Sequence, residues 1–318
     1  MMQPEMHHPV ANPNNERLIA HLAWFTRNLG EISPYVDGEL SFPGLKALAE
    51  LAMVHACLDD WRTRIGAGYE IVDRHAAIWQ DFLTTIIEDS IYAEAARKNP
   101  SHACFLLLPY LMLRGRGYRS SYHEHTLRLL EKWGYPRTQE VIPYRLLDRE
   151  LFFWKAGSLT SEPDWHGLYR STTLAAPGSL AFLDKDGAYS ITHTVLYMCD
   201  FGARRAPLDT REREAATRVV EGSLLHYWRI GNWDVVGELL ASLDCLDSPP
   251  SLIQHGAAAA FHAAGIDGAV PADRETAERI HREGAAMSSA TRFSLCYHTT
   301  LVSILQSCIE WNRRHVES

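Results

Sequence analysis

An all-α fold is predicted by three features of the sequence. Apolar residues recur at three- and four-residue spacing nearly throughout, which places them on one face of a helix. Alternating strand patterns bounded by turns are nearly absent. Gly and Pro fall between the periodic tracts, where they stop helices for steric reasons.

Taken in order, the periodicity predicts about a dozen helices. The first spans 15–30, where Asn14 or Asn15 can cap, Leu18, Leu22, Phe25 and Leu29 form the stripe, and Gly30 ends it. Pro43 suits the first turn of the next, which carries Leu45, Leu48, Leu51 and Met53 to about Trp61. Tracts follow at 71–97, 101–113, 120–133, 138–155 and 164–174, with Pro109 and Pro143 expected to kink or offset two of them. The C-terminal half adds 190–201, 210–230, 233–243, 250–263, 273–287 and 293–314.

Helices of this length joined by short loops pack as hairpins, which stack into a solenoid or close into a ring. No fixed-period repeat is evident, and aromatic residues are kept among polar ones, so a closed α/α-toroid is expected, with an open α-solenoid as the alternative. Residues 1–14, polar and holding three prolines, read as a flexible leader, and 15–318 as a single all-helical domain. Its least helical stretch, near 157–188, reads as an irregular loop region that borders the site.

The 318 residues carry 31 Lys and Arg against 39 Asp and Glu, a net charge of −8 that disfavours binding through nucleic-acid phosphates. No run approaches the roughly 18–20 apolar residues that span a bilayer. The six cysteines form no C-x-x-C pair. With no signal pattern, a cytoplasmic location is expected. Nucleotide-binding glycine motifs and a nucleophile elbow are missing as well.

Polar, titratable residues enter three otherwise apolar tracts. In 189–202, His193, Tyr197 and Asp200 are separated by four and three residues, so they share a face if the helix continues. A base, a phenol and an orienting carboxylate are parts for acid/base chemistry. Asp234 and Glu238 are four apart, and like charges there repel unless something positive sits between them. His298 lies beside Thr299 and Thr300, and would face His193 across a central cavity if the ends of a ring meet. Structural alternatives exist for each: core hydrogen bonds for the histidines, a dipole partner and a solvated charge for the two acids. Asp59-Asp60 is a fragment of a diphosphate–magnesium site without its second half and reads as a helix end. Tyr122-His123-Glu124-His125 lacks the register of a zinc helix.

The stretch T-H-x-x-x-Y-x-x-D-F-G, here Thr192 to Gly202, resembles an uncharacterised family of bacterial proteins of about this length. The D-x-x-x-E-L-L of Asp234 to Leu240 and the Y-H-T-T-L-V of Tyr297 to Val302 extend the likeness over the C-terminal half. The resemblance implies that the three segments form one site, in proteins of bacterial specialised metabolism, and it carries no activity with it.

The expected function is an enzyme acting on a small organic or peptide substrate in a polar cavity, by cyclisation, elimination or hydrolysis. His193 is the expected acid/base, Asp200 its orienting carboxylate and Tyr197 a donor. Asp234, Glu238 and His298 complete the site, either polarising substrate directly or holding a divalent ion such as zinc or manganese. The alternative is a helical scaffold that binds a peptide or protein. Self-association into a homodimer is open, with no heptad to specify it.

Overall fold

The computed structural model describes residues 13–65, 69–180 and 183–316. They are helical apart from loops, a two-stranded hairpin and an isolated bridge. Residues 1–12 of the expected leader lie outside the described residues, while Pro13 and Asn14 already belong to the first helix.

In chain order the helices are α1 (Pro13–Arg27), α2 (Phe42–Ile65), α3 (Glu70–Ile87), α4 (Ser90–Lys98), α5 (Ala103–Arg114), α6 (Ser121–Lys132), α7 (Tyr135–Thr138) and α8 (Pro143–Lys155). The second half holds α9 (Trp165–Arg170), α10 (Lys185–Met198), α11 (Thr210–Ile230), α12 (Trp233–Cys245), α13 (Leu252–Ala263), α14 (Arg274–Glu283) and α15 (Ser289–Val316). Side-chain caps set many of the starts: Asp184 accepts from Gly187 N at α10, Asn232 from Val235 N at α12 and Ser251 from Gln254 N at α13. At α11, Asp209 and Glu212 form a reciprocal capping box, and Gly231, with φ +72°, ends the helix.

Several boundaries differ from the sequence expectation for local reasons. The expected helix over 71–97 is two helices, because the Asp89 carboxylate accepts from Ile91 N and starts α4 afresh. Pro143 kinks nothing: it occupies the first turn of α8, where its missing N–H costs no bond. Pro109 is buried inside α5. α10 begins at Lys185 rather than 190, since the Asp184 carboxylate accepts from Gly187 N and caps it there. The hairpin of β1 (Tyr35–Val36) and β2 (Glu39–Leu40) was not expected; Asp37 and Gly38, with φ +53° and +83°, supply the two positive dihedrals of its tight turn.

Buried apolar side chains form a connected cluster from Leu18 to Ile309. α2 packs on α5, α5 on α8, α8 on α10, α10 on α12, α12 on α15, and α15 on α2. Outside this series α1 covers α15, α3 covers α2, α4 covers α5, and α11 and α13 both cover α12. α12 is therefore enclosed by four neighbours, and every residue from Trp233 to Leu243 is buried.

That enclosure depends on Gly237. A Cβ there would stand 2.8 Å from Phe261 Cζ on α13 and 2.8 Å from Val302 Cγ1 on α15. Alanine is the better helix former by about 1 kcal/mol. Gly237→Ala is nonetheless expected to lower the unfolding free energy by about 1–3 kcal/mol through overpacking, measured by urea denaturation. A stabilised variant would mean that α12 has room to shift.

Candidate functional site

The six helices of that series line a cavity of about 440 Å³, all but α5 bringing charged or hydrogen-bonding side chains. From α10 come Tyr189, His193 and Tyr197, four residues apart and so on one stripe. α12 presents Glu238, α15 His298, and α2 Lys46 and Glu50. Arg145, Asp148 and Tyr144 on α8 also line it, Tyr144 with its ring 5.5 Å from that of His193, and Met53, Leu108, Leu111, Phe152 and Phe153 supply apolar surface.

Asp234 and Glu238 are 6% and 3% exposed, so their charges are met by neighbours rather than water. His298 Nδ1 donates to Asp234 Oδ1 at 2.5 Å, Thr299 Oγ1 to the same oxygen at 2.9 Å, and Tyr189 Oη to Oδ2 at 2.5 Å. The other nitrogen of His298 stands 3.4 Å from Glu50 Oε1 and 3.7 Å from Glu238 Oε1. One imidazole thus lies between three carboxylates. Burial alone would lower its pKa, but Asp234 and Glu50 outweigh burial and hold it up at about 9. Asp234, disfavoured as an anion by burial, is drawn below the usual carboxylate range by His298 and Tyr189.

Glu238 behaves differently. Burial pushes its pKa up to about 7, His298 opposes the rise, and Asp234 reinforces it. Its Oε2 accepts from Thr192 Oγ1 at 2.5 Å and lies 3.5 Å from His193 Nδ1. Thr192 Oγ1 also lies 3.2 Å from His193 Nδ1 and 3.2 Å from the Tyr189 carbonyl oxygen. Burial, with Arg145 and His298 adding to it, lowers the His193 pKa to about 3, so this ring is neutral.

The arrangement brings together five of the six residues singled out in the sequence. His193, Tyr197, Glu238 and His298 line the cavity, and Asp234 stands behind them holding His298 and Tyr189. Asp200 is the exception. α10 ends at Met198, and Asp200 and Phe201 take φ of +46° and +52°, so helical spacing no longer governs where Asp200 points. Its oxygens accept from Lys155 Nζ at 2.7 and 2.8 Å, in a network where Lys155 also reaches Asp60 and Arg116 joins Asp59 and Asp60. The carboxylate beside His193 is Glu238, 3.5 Å from Nδ1. Among the described residues, 157–188 contributes none to the lining, but Lys185 reaches Asp234 Oδ2 at 3.7 Å behind it.

Sequence reasoning missed Tyr189, Lys46, Glu50, Arg145 and Asp148. Tyr189 stood one turn before His193, a signal available in the spacing. Lys46 and Glu50, four apart and 3.0 Å from each other, are indistinguishable in sequence from a surface ion pair.

A metal centre gains no support from the donor set. Among the described residues no group of three or more His, Cys, Asp and Glu side chains is placed to hold a metal ion. Asp234 spends both oxygens on neighbouring donors, and His298 carries a proton on the nitrogen facing Asp234. No described helix is long and apolar enough to cross a membrane.

A model of a domain of unknown function (DUF6895) matches residues 18–308. The chain belongs to the DUF6895 family. No curated protein and no solved structure matches it. The DUF6895 span contains every residue of the cavity cluster, from Lys46 to Thr299, and both halves of the Lys155–Asp200 network.

The two polar networks of the DUF6895 chain are separable by experiment. Asp200→Asn removes the charge that faces the largely buried Lys155. It is expected to cost about 1–3 kcal/mol of stability. The titration of His298, followed by imidazole NMR, should stay where it is. A shifted His298 titration would mean that the networks communicate.

Proposed function

We propose that α2, α5, α8, α10, α12 and α15 form the closed inner ring of an α/α-toroid, and that the cavity they surround is the active centre of an acid/base enzyme. Glu238 is the proton-transferring group, because a carboxyl that titrates near neutrality can both accept and return a proton. His298, as an imidazolium, stabilises negative charge that develops beside it. Neutral His193 holds Thr192 and Glu238 in register. The reading keeps cyclisation, elimination or hydrolysis of a small organic substrate as the reaction class.

One observation carries it: a buried carboxyl with its pKa raised to about 7, in a cavity wall, within 3.5 and 3.7 Å of two imidazoles. A scaffold that binds a protein partner has no need of such a group, and burying it costs stability. Wild type and Glu238→Gln are to be incubated with a library of small organic compounds and followed by mass spectrometry. The expected result is a compound consumed by wild type and spared by the variant. Consumption at equal rates, or of nothing at all by wild type, overturns the proposal.

A further inference from the structure

Among the described residues, the charges on the cavity lining and those paired directly with it sum to zero. Lys46 faces Glu50 at 3.0 Å, Arg145 faces Asp148 at 2.8 Å and Arg149 faces Glu150 at 3.3 Å. His298 and Lys185 stand against Asp234 at 2.5 and 3.7 Å, and His298 also reaches Glu238 at 3.7 Å. Five cations thus meet five carboxylates. One buried donor and one buried acceptor of the lining have no partner, Arg149 Nε and Glu50 Oε2, and being one of each kind they favour neither sign of ligand. Two tyrosine faces are taken as well, Tyr144 by the Arg145 guanidinium at 5.0 Å from the ring centre and Tyr189 by Lys185 at 5.3 Å.

An ion that left water for this cavity would lose its hydration and gain no uncommitted counter-charge. What the cavity offers instead is apolar surface. Phe42 and Phe105 stack with ring centres 5.6 Å apart, and both belong to the lining. Phe42 is 63% exposed, so it marks where the cavity opens to solvent, and the opening presents an aromatic face. Leu108, Leu111, Phe152 and Phe153 extend the apolar lining. A pocket of this size, mostly apolar with a few converging polar groups, suits a small organic molecule.

We propose that the substrate is an uncharged, mainly apolar molecule that enters past Phe42, sets its body against Phe105, Leu108, Phe152 and Phe153, and offers a neutral oxygen or nitrogen function to Glu238. This rests on the reading of the cavity as the active centre and adds to it the class of molecule that enters.

The test is calorimetric binding of three probes of matched shape to the full chain: naphthalenemethanol, naphthalenemethylamine and naphthaleneacetate. It is run at about pH 8, where Glu238, titrating at about 7, is ionised and His298, titrating at about 9, is protonated. The alcohol is expected to bind at least about tenfold more tightly than either ion. Two variants unbalance the charge in opposite senses. Glu238→Gln leaves a surplus cation and should strengthen binding of the carboxylate by about tenfold, with the alcohol unchanged. Lys46→Gln leaves a surplus carboxylate and should do the same for the amine. Circular dichroism checks that each variant folds, and either one alone reads the shift. An ion bound by wild type as tightly as the alcohol, no alcohol binding at millimolar concentration, or a discrimination against ions that neither variant moves overturns the proposal. A charged compound consumed by wild type and spared by Glu238→Gln also overturns it, with the acid/base reading intact.

Discussion

Replacing Glu238 by Gln is expected to lower turnover by about 10²–10⁴-fold, the range by which a positioned acid or base accelerates proton transfer. The variant keeps the volume and an acceptor for Thr192, so the loss is specific to the proton. Wild-type kcat/KM should change through a titration at about pH 7, the value to which burial lifts this carboxyl. In the variant that limb should vanish while any limb from another group remains. Substrate affinity of a neutral compound should alter little, because an uncharged isostere fills the same space. A variant that retains the limb at pH 7 would move the proton transfer to another residue.

Asp234→Ala is expected to give the largest loss of stability, about 3–5 kcal/mol, since truncating one partner of a buried ion pair strands the other. His298, Tyr189 and Thr299 all lose their acceptor at once. The pH dependence has a definite sign. His298 is raised to about 9 from 6.5, so its contribution is fully present below 6.5 and lost as pH rises through 9. Asp234 is lowered from 3.8, so its contribution is present above that value and lost as pH falls through the lower one. The gap between wild type and variant should therefore be widest between pH 3.8 and 6.5 and shrink towards pH 9. Glu238 adds a separate alkaline loss: raised to about 7 from 4.5, its contribution is present below 4.5 and lost as pH rises through 7. Urea denaturation across this range checks the pattern, and a gap of constant size would mean that Asp234 and His298 are not an ionic pair.

Much of the fold was legible because amphipathic periodicity survives without tertiary information. α11 spans the expected 210–230, and α13 keeps its expected end at Ala263. What periodicity misses is an interruption that preserves phase, as at Asp89, where one capping carboxylate divides two helices without breaking the stripe. The site was legible where polar residues intrude into apolar helices, as Asp234 and Glu238 do in α12. It was misread at Asp200, where helical spacing was carried two residues past the last residue that obeys it. Glu50 was invisible for the opposite reason. A Lys and a Glu at helical spacing look solvated until α15 is laid against them, and only the packing of α2 on α15 makes the pair part of a wall.

The contact of α2 with α15 also fixes the order in which the centre is completed during synthesis. His298, 248 residues after Glu50, and the adjoining Thr299 lie on the last described helix. A nascent chain that has emerged as far as α14 holds Asp234 and Glu238 without the imidazole that compensates them. At that stage Asp234 has Lys185, 3.7 Å from its Oδ2, and Glu238 lacks the imidazolium 3.7 Å from its Oε1. The wall that holds Glu238 is therefore complete only once α15 has packed against α2 and α12.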